Sequence, residues 1–141
     1  MAERPVPGAC LCGAVRFTVT PPTLFCAHCH CTMCRRAHGA GFVTWVGVLK
    51  EQLVLTAGGD QLTLYRSSAQ GTRSFCRVCG SSLFFASMEH PDRVDVPLAN
   101  LEGPIDRVPE MHVFFDDRAR WIHVGDDLLR LGGPTGLEPL A

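Results

Sequence analysis

Apolar and polar residues alternate with a period of two along much of this chain. Between Ala14 and Thr20, Val15, Phe17 and Val19 alternate with Arg16, Thr18 and Thr20, the pattern of a half-buried strand. Pro21 and Pro22 end it. The run Phe42–Leu49 is rich in Val, Trp and Thr and reads as a buried strand. Leu53–Thr56 and Leu62–Arg66 flank Ala57, Gly58, Gly59 and Asp60, which predicts a hairpin. Thr72–Phe75 and Ser82–Ser87 read as strands on either side of a cysteine pair. Val94, Val96 and Leu98 alternate again, and Pro97 places that strand at a sheet edge. His112–Phe115 is a short apolar strand, and Trp121–Val124 is read as a last one. Thr32–His38 is a short helical turn stopped by Gly39 and Gly41. There is no long helical periodicity and no internal repeat, so the expected class is all-β, with knuckles at the strand ends. Residues 1–7 are expected to be a loose arm and 126–141 a C-terminal tail fraying from Gly132. Residues 1–125 are expected to be a single domain.

Cysteine spacing changes the picture more than the strands do. Residues 26–36 hold four of the eight cysteines, Cys26, Cys29, Cys31 and Cys34, with His28 and His30 between them. Crowded thiolates repel unless a cation sits among them, and zinc meets that need with tetrahedral bonds of about 2.3 Å. The stretch therefore reads as a metal centre. Cys76-x-x-Cys79-Gly80 has the form of a zinc knuckle that supplies two ligands. Cys10 and Cys12, followed by Gly13, are its natural partners in a Cys₄ site. Separate redox dithiols or inert buried thiols are the competing reading. A Cys10–Cys12 disulfide would be badly strained.

Composition narrows the function classes. The 141 residues suit one domain with a respectable core. With 46% hydrophobic and 19% charged residues the chain is globular rather than disordered. The formal net charge of −1 provides no basic field for nucleic acid. Seven thiolates around two Zn²⁺ would lower it further, to about −4. No apolar run approaches the ~20 residues of a membrane span, and the N-terminus has no apolar signal region. Clustered cysteines in an unsecreted chain point to metal or redox chemistry, with the cytoplasm as the expected location.

Together the motifs form an ordered set: Gly8-Ala-Cys10-Leu-Cys12-Gly13-Ala-Val-Arg-Phe17, Cys29-His-Cys31-x-x-Cys34-Arg-Arg36-x-x-Gly39, Phe75-Cys76-x-x-Cys79-Gly80-x-x-Leu83, then His112-x-Phe114 and Trp121. The set resembles the glutathione-dependent formaldehyde-activating enzyme / centromere protein V family from about residue 8 to residue 124. The resemblance implies an Mss4-like β-sheet fold. It implies a structural zinc on Cys10, Cys12, Cys76 and Cys79, and a second, catalytic zinc on Cys29, Cys31 and Cys34 with its fourth position left for water or a substrate thiol. It implies two Zn²⁺ per chain and carbon–sulfur lyase activity, with S-hydroxymethylglutathione as the name-giving product. Cys26 is not regarded as part of that ligand set. If it reached the metal, the centre would be closed and structural. His28 and His30 are further candidates for a fourth ligand.

The small-molecule thiol implied here is glutathione, whose two carboxylates match guanidinium geometry. Arg35, Arg36 and Arg73 are candidates to pair with them, against a solvated face or pairing with the protein's own acids. His112 is more simply a histidine of the core, or one bonded behind a ligand, than a proton shuttle. Trp121 is read as core. His38, His90 and Tyr65 receive no role. An edge strand around Val94–Leu98 would suit a homodimer. Two competing classes stand beside the enzyme: a non-catalytic zinc-stabilised protein-interaction module, favoured if Cys26 closes the second site, and a thiol redox or metal-handling protein using Cys26 and its neighbours.

Overall fold

The computed structural model describes residues 4–140, which are mostly β-sheet with one α-helix. Its strands are β1 (Val6–Ala9), β2 (Arg16–Val19), β3 (Phe25–Cys29), β4 (Val43–Leu49), β5 (Leu53–Ala57), β6 (Leu62–Arg66), β7 (Gly71–Cys76), β8 (Ser82–Ser87), β9 (Arg93–Pro97), β10 (Met111–Val113), β11 (Leu129–Gly132) and β12 (Glu138–Pro139). Helix α1 spans Thr32–His38. The chain forms two compact units, Met1–Leu24 with Val46–Asp106, and Phe25–Trp45 with Arg107–Ala141. The first three residues of β4 belong to the second unit and its last four to the first.

In the first unit, β2 pairs antiparallel with β1 on one side and β5 on the other. The inward positions of the alternating stretch, Val15, Phe17 and Val19, are buried, and the Phe17 ring meets Phe84 edge-on at 5.0 Å. Burying each such side chain stabilises the fold by about 1.5–3 kcal/mol. A second run, β9-β8-β7-β6, is antiparallel where β8 meets β9 and β7, and where β7 meets β6. Here three expectations change. The expected 53–66 hairpin does not form: β5 pairs with β2 and β6 with β7. Gly58 is left-handed (φ 74°) and opens a one-turn 3₁₀ helix, Gly59–Gln61, so the chain leaves one sheet and enters another rather than folding back. The arm expected to be loose contains β1, and residues 1–3 of it lie outside the described residues. Strand β9 is not an edge: it lies between β8 and β4, and Val94, Asp95, Val96 and Pro97 are all buried. Pro97 is its last residue, so the missing N–H falls at the end of the strand rather than inside it.

In the second unit the order is β12-β11-β10-β3, and β10 runs parallel to both of its neighbours. The cysteine stretch therefore opens as a strand, β3, which the sequence patterns did not pick out. The expected helical turn is α1. Gly39 ends it in the left-handed region (φ 58°), and its N–H donates to the Arg35 carbonyl. Residues 121–124 form no strand. Where a fraying tail was expected, β11 pairs with β10 and β12 with β11, and Leu131 is buried. Among the described residues no helix is long and apolar enough to cross a membrane.

Candidate metal centres

Two cysteine clusters stand out, one in each unit. In the first unit the sulfurs of Cys10, Cys12, Cys76 and Cys79 all lie within 4.8 Å of one another. Cys12 Sγ is 3.7 Å from Cys10 Sγ and 3.9 Å from Cys76 Sγ. Four sulfurs placed tetrahedrally at about 2.3 Å from one zinc are about 3.8 Å apart, so the cluster has the size of a zinc site. Both knuckles turn on glycines at φ 80°, Gly13 and Gly80, and the Gly80 N–H donates to the Cys76 carbonyl at 2.7 Å. Backbone donors also point at sulfur: the Val15 N–H lies 3.3 Å from Cys10 Sγ and the Ala14 N–H 3.5 Å from Cys12 Sγ. The Ser81 hydroxyl and N–H, ahead of other causes, pull the Cys79 thiol down to about 5. The Ala14 N–H likewise favours a Cys12 thiolate, but burial and the neighbouring sulfurs override it and push Cys12 up to about 11. One cluster thus pulls its members in opposite directions, the behaviour of thiols that cannot all ionise without a cation among them.

In the second unit β3 delivers Cys29, the following bend delivers Cys31, and α1 delivers Cys34 on its buried side. Their sulfurs also lie within 4.8 Å of one another. Cys31 is the N-cap of α1, and its sulfur accepts the Cys34 N–H at 3.3 Å. Crowding by Cys31 and then Cys34, with burial, drives the Cys29 thiol far above its ordinary range. This donor set fits a soft dication. Among the described residues no other Cys, His, Asp or Glu atom lies within that distance of all three sulfurs. Cys26 is fully buried on β3 and lies outside the cluster, as do His28 and His30. The His28 Nδ1 lies 2.8 Å from the Thr44 hydroxyl, and burial followed by His112 lowers its pKa.

On helix α1 and its C-terminal turn, Thr32, Arg35, Arg36, Gly39 and Ala40, with Trp121, line a cavity of about 280 Å³. The Arg35 guanidinium donates to the Asp117 carbonyl at 2.9 Å, which fixes its stem, and Arg36 is exposed. Trp121 was expected in the core. It is 67% exposed instead, and a Cβ added at Gly41 would lie 3.1 Å from its ring. Arg73 belongs to the other unit, with its guanidinium 5.0 Å from the Phe85 ring.

His112 is buried (2% exposed), but not as a simple core residue. Its Nε2 lies 3.0 Å from Asp126 Oδ2 and its Nδ1 lies 2.8 Å from His30 Nε2. No sequence signal joins these three: His30 and His112 are 82 positions apart, and Asp126 sits in a polar stretch.

The family model of the glutathione-dependent formaldehyde-activating enzyme matches residues 5–117. A Halomonas elongata protein bearing the name "Putative glutathione-dependent formaldehyde-activating enzyme" is 28% identical over 83% of this chain and 79% of its own length. A Podospora anserina protein of the same name is 35% identical over 67% of this chain and 47% of its own, so the chain spans about half of that relative. A Schizosaccharomyces pombe protein named as an uncharacterized lyase is 32% identical over 56% of each chain. A crystal structure of a Rhodobacter sphaeroides protein superposes with a TM-score of 0.60 at 29% identity, covering 73% of this chain and 97% of that one.

Proposed function

Because this chain belongs to the glutathione-dependent formaldehyde-activating enzyme family, we propose that it is a zinc-dependent carbon–sulfur lyase-type enzyme acting on the adduct of a thiol, glutathione or a relative of it, with a small aldehyde. In this reading Cys10, Cys12, Cys76 and Cys79 hold a structural zinc, and Cys29, Cys31 and Cys34 a catalytic one. The observation that carries it is a cluster of three cysteines, two of them buried, joined by no further ligand among the described residues, with a cavity lined by two arginines of the same helix that carries Cys34. Four protein ligands make a closed structural site, whereas three leave a position for chemistry. Zinc held by these three thiolates would supply a Lewis-acidic position that favours the ionised form of an incoming thiol.

The chain's own residues bind and orient. Arg35 and Arg36 pair with the thiol's carboxylates, and the fixed stem of Arg35 leaves less freedom to be lost on binding. Trp121 presents a flat apolar wall to the peptide backbone of the thiol. In the cleavage direction the C–S bond of the hydroxymethyl-type adduct breaks, sulfur keeps the electron pair and the hydroxyl proton passes to solvent water as the C=O bond forms. Addition is the reverse. Holding sulfur and aldehyde together contributes most of the acceleration. The thiolate ligands suit a reducing cytoplasm.

The test is exchange spectroscopy by NMR on mixtures of glutathione and formaldehyde with zinc-loaded protein. Faster exchange between free thiol and adduct is expected for the wild type, and the uncatalysed rate for Cys31→Ser. Equal rates for both proteins would sink the proposal.

A further inference from the structure

We propose that Asp126, His112 and His30 form a hydrogen-bonded strut that fixes the orientation and tautomer of His30 and so positions Cys29 and Cys31 as metal ligands, which makes Asp126 a positioning residue of the three-cysteine centre. The inference rests on the reading of Cys29, Cys31 and Cys34 as a metal site. Asp126 lies past residue 117, where the family match ends.

The strut has one polarity. A carboxylate only accepts, so His112 Nε2–H donates to Asp126 (3.0 and 3.1 Å to its two oxygens). With its ring proton on Nε2, His112 offers Nδ1 as an acceptor to His30 Nε2–H at 2.8 Å. That leaves His30 Nδ1 unprotonated. This atom is buried and has no hydrogen-bond partner among the described protein atoms. The opposite polarity would bury an unpaired N–H there, a rarer and costlier state than an unpaired acceptor.

Both ends are held. The Leu128 N–H donates to Asp126 Oδ1 at 3.1 Å and the Arg130 guanidinium to the Asp126 carbonyl at 3.2 Å. At the other end His30 is fully buried, with its ring 5.2 Å from Phe42 and 5.3 Å from Phe115. Its backbone N–H donates to the Val113 carbonyl at 3.0 Å. His30 is bonded to Cys29 on one side and Cys31 on the other, so a ring that cannot turn restrains both peptides that carry the sulfurs. Outer partners that orient ligands in this way typically account for about 10–100-fold in metal affinity.

Two readouts on the full chain test this. Long-range ¹H–¹⁵N correlation spectra of the zinc-loaded protein report which ring nitrogen carries the proton. The wild type is expected to carry it on His30 Nε2, and a proton on Nδ1 would overturn the proposal. Stepwise zinc competition with a chromophoric chelator reads the two centres separately. In Asp126→Ala the acceptor that holds a proton on His112 Nε2 is gone, so the His30 proton is no longer confined to Nε2, and the second zinc step weakens about 10–100-fold while the first is unchanged. Asp126→Glu, which keeps the acceptor, is expected to keep the wild-type tautomer and recover most of the affinity. A tail contact that only adds stability would lower Tm and move neither readout, and that result would also reject the strut. If the wild type binds a single zinc, the metal reading of the trio fails, while the tautomer measurement still decides whether the strut exists.

Discussion

Cys26 and Trp121 bear most directly on whether the second centre is open. Cys26 is fully buried but outside the three-sulfur cluster, so Cys26→Ser should leave zinc content at two per chain, read by elemental analysis of protein purified without chelator. A fall to one in the variant would mean a closed centre and would favour an interaction module over an enzyme. Trp121 and Arg36 line the cavity and are exposed. Their contacts with a thiol substrate should be equal in ground and transition states, so Trp121→Ala and Arg36→Ala should each raise KM about tenfold with kcat unchanged, the size of one charge-assisted hydrogen bond or one stacked contact. Unchanged KM in both variants would remove the cavity from the substrate path. The spacing of Cys29, Cys31 and Cys34 was legible because neighbouring ligands on one bend leave a local signature. Trp121 was misplaced because its hydrophobicity says nothing about whether a loop turns it outward.

At the level of elements, α1 and β11 carry the consequences. Helix α1 brings Cys34, Arg35 and Arg36 to the site and stops at Gly39 in the left-handed region. A side chain there costs about 1–2 kcal/mol, so Gly39→Ala should lower the unfolding free energy by that amount, read as a lower urea midpoint with an unchanged slope. An unchanged midpoint would mean that the helix end relaxes into another turn. Strand β11 covers β10, and Leu131 is buried. Leu131→Ala should destabilise the protein by about 2–5 kcal/mol, the usual range for a core leucine. A change within a few tenths would mean that the last residues are not part of the packed unit. The tail looked loose in sequence because short strands interrupted by Gly133, Pro134 and Gly136 show no period. Parallel pairing with β10 is a non-local event that composition does not report.

Across the molecule, the four-cysteine cluster ties Cys10 and Cys12 to Cys76 and Cys79, closing a long loop whose two ends lie in the first unit. Loop closure is entropically unfavourable, and metal binding there would offset it with on the order of 10 kcal/mol. Removing metal with a strong chelator should therefore unfold the protein cooperatively rather than merely abolish activity, a result visible in far-UV circular dichroism. An apo protein with unchanged spectrum and Tm would make the cluster dispensable for folding. Acid should act in the same direction, because protons compete with metal for thiolates and affinity falls as pH falls.

The amino-acid sequence alone determined the all-β class, the extent of α1 and the close spacing within Cys10/Cys12, Cys29/Cys31/Cys34 and Cys76/Cys79, because period-two alternation, a glycine stop and close ligand spacing are local properties of the chain. Only the tertiary structure decided that β5 and β6 part company, that β9 is internal, that Cys26 stays out of the cluster, and that Asp126 reaches His30 through His112. Each of these depends on which distant segments pair. Pairing is chosen by the burial of whole faces rather than by any residue's neighbours in sequence.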